Sequence, residues 1–190
     1  MKSLGKIILV TGGARSGKSS FAEQYAAKTG GKIAYIATAQ ILDEEMKYRV
    51  DLHKKRRPIN WITYESPYDA EQAIKQASSE VEVVLFDCLT LYVSNMLCSD
   101  QMPTLENERY SYVTNKIGLL INAVKNSNLT VIFVTNEVGM GIVPINQMAR
   151  EYRDLAGLTN QMMAAVADCV YLVISGMAVD VKKIAINLEE

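Results

Sequence analysis

The sequence predicts an α/β fold, a mostly parallel sheet flanked by helices, in one domain spanning residues 1–190. Three observations carry that expectation. Continuous apolar runs rich in β-branched residues, such as Val83-Val84-Leu85-Phe86 and Val131-Ile132-Phe133-Val134, read as strands buried on both faces, as parallel strands are. Helical patterns separate these runs, giving a βαβ rhythm. Gly12 to Ser19, GGARSGKS, fills every fixed position of G-x-x-x-x-G-K-[ST] between an apolar strand and a helix, which makes this a P-loop fold.

Strands are expected at Lys6–Thr11, Lys32–Ala37, Asn60–Glu65, Val81–Cys88, Thr130–Asn136 and Cys169–Ser175. A helix from Ser20 to Lys28 buries Phe21, Ala22, Tyr25 and Ala26 and stops at Gly30-Gly31. Leu42 to Arg57 reads as a polar helix ended by Pro58. Pro67 to Ser79 follows Ser66 with Pro67 at the first helical position. Thr104–Asn126 is a long helix with Val113, Ile117, Leu120, Ile121 and Val124 on one side, and Asn146–Ala167 is another. Ser99–Pro103 is a loop too short to divide domains, and the tail from Asp180 is expected to add an edge strand or fray.

Composition narrows the function. The 190 residues are 49% apolar and 22% charged, ordinary for a globular domain. A net charge of −1 gives no pull toward nucleic acid or acidic membranes. No apolar run reaches the roughly 18–20 residues that span a bilayer. Met1 to Lys6 is short and polar, so no secretion signal is expected. The three cysteines, Cys88, Cys98 and Cys169, lack metal-ligand spacing and suit a reduced cytoplasmic protein.

The chemistry is concentrated in four segments. The backbone N–H groups of Gly12, Gly13, Ala14, Arg15, Ser16 and Gly17 can crowd around phosphate oxygens at a helix N-terminus. Lys18 would reach the β- and γ-phosphates of a nucleoside triphosphate, and Ser19 would ligate Mg²⁺. Asp87, after four apolar strand residues, is the acid that would emerge beside that Mg²⁺, although a strand-end Asp can also cap the next helix. His53, the only histidine, precedes the basic run Lys54-Lys55-Arg56-Arg57; spacing alone favours a solvated helix face, while clustered cations would also keep a nucleophilic imidazole neutral. Finally, Thr135-Asn136-Glu137-Val138-Gly139-Met140-Gly141-Ile142-Val143-Pro144 opens from a buried strand at the sheet edge where ligand sites form. In the helix after it, Arg150, Arg153 or Asp154, Gly157 and Asn160 share a stripe, which an ordinary surface Arg–Asp pairing would also produce.

Together, Gly12–Ser19, Tyr35-Ile36-Ala37-Thr38-Ala39-Gln40, His53 with its basic run and Pro58, and Asn136 to Pro144 resemble the adenosylcobinamide kinase/adenosylcobinamide-phosphate guanylyltransferase family of cobalamin biosynthesis. The resemblance runs from Ile7 to about Lys182. It implies a RecA-like sheet, a homotrimer, and two reactions. ATP or GTP phosphorylates the hydroxyl of the aminopropanol arm of adenosylcobinamide. A histidine, matched here by His53, then takes GMP from GTP and passes it to adenosylcobinamide phosphate. The implied nucleotide contacts are Gly12–Ser19, Ala37, Thr38, Ala39, Lys54, Lys55, Arg56, Arg57, Glu65 and Asp87. Some members carry two adjacent histidines where this chain has Leu52-His53, and some place Glu at the position of Asp87. Because one phosphate loop must address two phosphorus atoms, the Leu42–Arg57 element is expected to move between roles. The competing expectations are a plain P-loop small-molecule kinase with a structural His53, and a regulatory nucleotide-binding module touching nucleic acid through Lys54–Arg57.

Overall fold

The computed structural model describes residues 5–41, 43–56 and 58–186. Its centre is a seven-stranded sheet. In chain order the strands are β1 (Lys6–Thr11), β2 (Ile33–Ala37), β3 (Ile62–Glu65), β4 (Val83–Asp87), β5 (Thr130–Val134), β6 (Cys169–Ile174) and β7 (Met177–Asp180). They lie in the order β3-β2-β4-β5-β1-β6-β7. All pairings are parallel except the β6–β7 hairpin. The helices are α1 (Lys18–Thr29), α2 (Glu44–Arg56), α3 (Ala70–Ala77), α4 (Leu89–Leu97), α5 (Glu106–Lys125), α6 (Gln147–Val166) and α7 (Val181–Ile184).

Alternation along the strands builds two cores. Ile7, Leu9, Ile36, Val84, Phe86, Val131 and Phe133 face α3, α4, α5 and α6. Ile8, Val10, Tyr35, Leu85, Ile132 and Val134 face the other way, where Ala22 and Ala26 of α1 cover them. Central strands therefore bury both faces, as their unbroken apolar runs require. A bidentate ion pair from Arg109 to Glu151 (2.5 and 3.0 Å) ties α5 to α6 on the crowded face.

Three local expectations change. Pro67 does not begin α3. The helix starts at Ala70, after Asp69 in a left-handed conformation (φ 48°), because the Ser66 hydroxyl instead bonds the Tyr68 carbonyl in a turn. The run after Cys88 forms α4, with no helix expected there; Leu89, Thr90, Tyr92, Val93, Asn95, Met96 and Leu97 are all buried, so it has no polar face to reveal a helical period. The edge strand comes earlier than expected, at Met177–Asp180, folded back by a turn at Ser175-Gly176.

Register places the chemistry. Val134 of β5 is level with Val10 of β1 on one side and with Asp87 of β4 on the other. Ala37 of β2 is level with both Asp87 and Glu65 of β3. The phosphate loop, Asp87, Ala37, Glu65 and the end of β5 thus share the carboxyl edge of the sheet, where open α/β sheets bind ligands.

Candidate active site

The phosphate loop is held by backbone geometry that its glycines permit. Gly12 has φ 155°, and a Cβ there would lie 2.4 Å from the Val173 carbonyl oxygen. Gly17 has φ 95° at the entry to α1, a region that side chains rarely adopt. The β6–β7 turn buttresses the loop, the Gly176 N–H donating to the Ser16 carbonyl at 2.8 Å. The Ser16 hydroxyl is buried without a partner among the described residues.

Lys18 is buried at the first turn of α1, and its ammonium donates to the Gly13 carbonyl at 3.0 Å. Burial lowers its pKa from the ordinary value, an effect partly opposed by neighbouring Cys88 and Asp87. Asp87 does not cap α4; Cys88 occupies that position without a side-chain cap. Instead the Tyr35 hydroxyl donates to Asp87 Oδ2 at 2.8 Å. Sequence reasoning did not single out Tyr35 for this role, though a tyrosine inside a buried strand signals a polar tip in need of a partner.

Thr38 is fully buried rather than open to solvent. Its hydroxyl donates to the Cys88 carbonyl (2.9 Å) and accepts from the Cys88 N–H (2.8 Å), while its own carbonyl accepts from Asn95 (2.7 Å). It fixes the end of β4 and so the position of Asp87. On the other flank, Glu137 Oε1 accepts from the Thr11 hydroxyl (2.8 Å) and from Asn160 Nδ2 (3.1 Å). Asn160 also donates to the Asn136 carbonyl (3.1 Å) and accepts from the Thr135 hydroxyl (2.7 Å). Of the stripe on α6, Asn160 reaches the loop after β5. Arg153 and Asp154 stand 3.8 Å apart, and Arg150 bonds the Pro144 and Ile145 carbonyls.

Of these groups, Lys18, Tyr35, Asp87, Cys88 and Asn136 border one cavity of about 770 Å³. Its lining brings together Ala14, Arg15, Lys18 and Ser19 of the loop, Ala37 and Ala39 after β2, and Glu65 and Asp87. Helix α2 adds Met46, Val50 and Lys54. A more open hollow of about 500 Å³ shares Lys54 and Glu65 with it and extends to Trp61. Lys54 Nζ lies 3.3 Å from Glu65 Oε1, joining α2 to β3. His53, Lys55 and Arg56 belong to α2, with side chains outside the described residues, and Arg57 lies outside them altogether. Asn136, from the segment after β5 that the sequence singled out, also lines this cavity, together with Thr90 and Tyr152, which the sequence did not mark as site residues. Ser19 and Asp87 are hard oxygen donors on this one cavity beside a buried lysine, a set that fits Mg²⁺.

The chain is 42% identical over 182 residues to the bifunctional adenosylcobalamin biosynthesis protein CobU of Escherichia coli, an alignment covering 93% of this chain and 99% of that one. It is 43% identical to the CobU protein of Salmonella typhimurium, with the same coverage. It is 36% identical to the CobP protein of Pseudomonas aeruginosa over 92% of this chain and 96% of that one. Among solved structures it resembles an ATPase from a bacterial type III secretion system, with a TM-score of 0.56 at 12% identity; the match covers 98% of this chain and 60% of that one, and shows the fold alone. Residues 8–181 match the CobU family, cobinamide kinase / cobinamide phosphate guanyltransferase, and the chain belongs to that family.

Proposed function

We propose that this enzyme performs two transfers on a nucleoside triphosphate held in one cavity. In the first, the γ-phosphoryl group of ATP or GTP passes to the hydroxyl of adenosylcobinamide. In the second, His53 attacks the α-phosphorus of GTP, forms a phosphoramidate and expels pyrophosphate. Adenosylcobinamide phosphate then takes the GMP, giving adenosylcobinamide-GDP and restoring His53.

One observation carries this reading: the cavity that meets Lys18, Ser19 and Asp87 is also lined by Met46, Val50 and Lys54 of the helix that contains His53. His53 follows Val50 by three positions in that helix, a spacing that makes neighbours on a helix surface. The loop amides and Lys18 stabilise charge on the phosphates. Ser19 and Asp87 would hold Mg²⁺, which when bound neutralises phosphate charge. Tyr35 keeps Asp87 oriented through its 2.8 Å hydrogen bond. In this reading Ala37, Ala39, Glu65 and Lys54 form the nucleotide-facing wall, Thr38 supports it from beneath, and Lys55, Arg56 and Arg57 bind the nucleotide.

The same reading includes a homotrimer, drawn from the family resemblance and tested by sedimentation at micromolar protein. It also includes a cytoplasmic location. The described helices contain none long and apolar enough to cross a membrane, and Cys88, Cys98 and Cys169 are unpaired, as a reducing compartment keeps them.

Covalent labelling tests the central step. Incubation with α-labelled GTP and Mg²⁺ is expected to label the protein through a bond that acid cleaves and alkali spares. Unlabelled wild-type protein, or a labelled His53→Ala variant, would sink the role of His53.

A further inference from the structure

Some of the cavity lining has no part in holding the triphosphate in the function proposed above: Thr90, Leu91, Asn136 and Tyr152. β5 lies between β1, which leads into the phosphate loop, and β4, which ends in Asp87. A terminal phosphoryl group would lie between those two elements, with Lys18 reaching it and Ser19 and Asp87 placed to hold the metal that would neutralise its charge. The residues just past Val134 therefore emerge opposite that group. Thr135 is buried and turned to Asn160. Asn136, the next residue, lines the cavity.

The side chain of Asn136 is fixed in one sense. Its Nδ2 donates to the Thr90 hydroxyl at 2.9 Å, and that hydroxyl lies 3.0 Å from Cys88 Sγ. Its backbone carbonyl is pinned by Asn160 at 3.1 Å. With Nδ2 engaged, Oδ1 has no hydrogen-bond partner among the described residues. An amide oxygen only accepts. Phosphate oxygens are acceptors too, so they do not satisfy it; a hydroxyl does. Thr90, Leu91 and Tyr152 line the same cavity, the Tyr152 hydroxyl donating to the Thr90 carbonyl at 3.4 Å.

We propose that Asn136, oriented by Thr90, is the acceptor-hydroxyl subsite of the phosphoryl transfer: Asn136 Oδ1 takes a hydrogen bond from the substrate alcohol and aims its oxygen at the γ-phosphorus. The inference rests on the function proposed above and names the group that receives the acceptor. In the step, the bond from the alcohol oxygen to the γ-phosphorus forms. The bond from that phosphorus to the β,γ-bridging oxygen breaks, and the nucleoside diphosphate leaves with the electron pair. An amide is not basic, so the alcohol proton passes to cavity water as the new bond forms. Asn136 contributes orientation, which is where phosphoryl transfer gains most of its help beyond charge stabilisation. His53 chemistry at the α-phosphorus needs no such alcohol, so Asn136 separates the two activities.

The test compares Asn136→Ala, Asn136→Leu, Asn136→Asp and Thr90→Val with wild type. The readouts are steady-state phosphorylation of adenosylcobinamide, self-labelling from α-labelled GTP, and melting temperature. Expected is a fall of about 100-fold in kcat of the kinase step for Ala and Leu, the scale of losing reactant alignment, with KM for the triphosphate within about twofold. The kinase rate falls at least about tenfold more than the self-labelling rate. Asn136→Asp keeps an acceptor oxygen and a donor in Thr90, and recovers most of the loss; Thr90→Val gives a smaller loss because the amide is then free to flip. A rise in KM for the triphosphate would mean that Asn136 touches phosphate, and would overturn the subsite. Equal loss of both transfers with a lowered melting temperature, or no loss in either, overturns it as well. Wild-type protein that labels from GTP yet never phosphorylates the alcohol overturns the kinase assignment and the subsite with it.

Discussion

Lys18 and Cys88 show how individual side chains are kept ready at a cost to the fold. The Lys18 ammonium is buried against a single carbonyl oxygen, with no salt-bridge partner among the described residues. A desolvated charge so weakly paired favours unfolding, and phosphate oxygens would satisfy it. Lys18→Met is therefore expected to hold or raise the melting temperature while lowering the phosphoryl-transfer rate by roughly 100-fold or more; calorimetry and a kinase assay on the same preparation check this. A destabilised Lys18→Met protein would contradict it. The Cys88 thiol is buried beside Asp87, and both burial and that carboxylate push it up to about 11. It is a proton holder at neutral pH rather than a nucleophile. Since its folded value exceeds the ordinary thiol value of 9.0, the folded state keeps a proton that the unfolded chain sheds between those values. The stability that Cys88 contributes is whole below pH 9 and falls by up to about 1.4 kcal/mol per pH unit toward pH 11. Tyr92 and Tyr152, each raised to about 12, add their own losses only above their ordinary value of 10.0. Urea titrations at pH 8, 9 and 10 are expected to show a slope between 9 and 10 that Cys88→Ser flattens. At neutral pH an alkylating reagent should modify exposed Cys98 well before Cys88.

At the scale of elements, what the sequence reveals depends on whether an element has two unlike faces. The loop is legible because its residue types at that fixed spacing rarely serve any chemistry but phosphate binding; the strand ending in Asp87 is legible as a strand from its apolar run, while an acid at a strand end by itself also suits a helix cap. α5 is legible because Val113, Ile117, Leu120, Ile121 and Val124 form a buried stripe on an otherwise polar helix. α4 is not, since burial on all sides erases the period. Nor are long-range partners legible: nothing near Tyr35 in the chain names Asp87, and nothing near Asn160 names Thr135 or Glu137. Asn160 binds α6 to the loop after β5 through three hydrogen bonds while 8% exposed. Asn160→Ala leaves the Thr135 hydroxyl and the Asn136 carbonyl without this partner, for an expected loss of about 2–3 kcal/mol in chemical denaturation. Asn160→Asp is expected to cost more, because it sets a second carboxylate where Nδ2 now lies 3.1 Å from Glu137. If the aspartate variant were the more stable of the two, repulsion between the two carboxylates would not govern this site.

Across the whole molecule the two faces of the sheet are unequally covered, and that inequality bears on how one site serves two transfers. Helices α3 to α6 share a large core with one face, whereas α1 supplies the buried helical residues of the other. No described residue of α2 belongs to either core. Tyr48 and Leu52 are exposed, Met46 and Val50 are half-buried at the cavity, and the Lys54–Glu65 pair that joins α2 to β3 is itself largely exposed. Such a pair contributes little in water, about 0–1 kcal/mol. Helices with few buried apolar contacts open at low free-energy cost, so α2 is the element most able to shift relative to the phosphate loop. Hydrogen exchange is expected to find α2 amides exchanging orders of magnitude faster than those of α5, with GTP and Mg²⁺ slowing α2 selectively. Glu65→Ala should speed α2 exchange further without altering α5. The hypothesis requires ligand to change the α2 equilibrium, because a triphosphate that bound both arrangements equally would shift nothing. Equal α2 protection with and without GTP would leave a fixed helix, and the passage from γ- to α-phosphorus would then have to come from the nucleotide shifting in the loop.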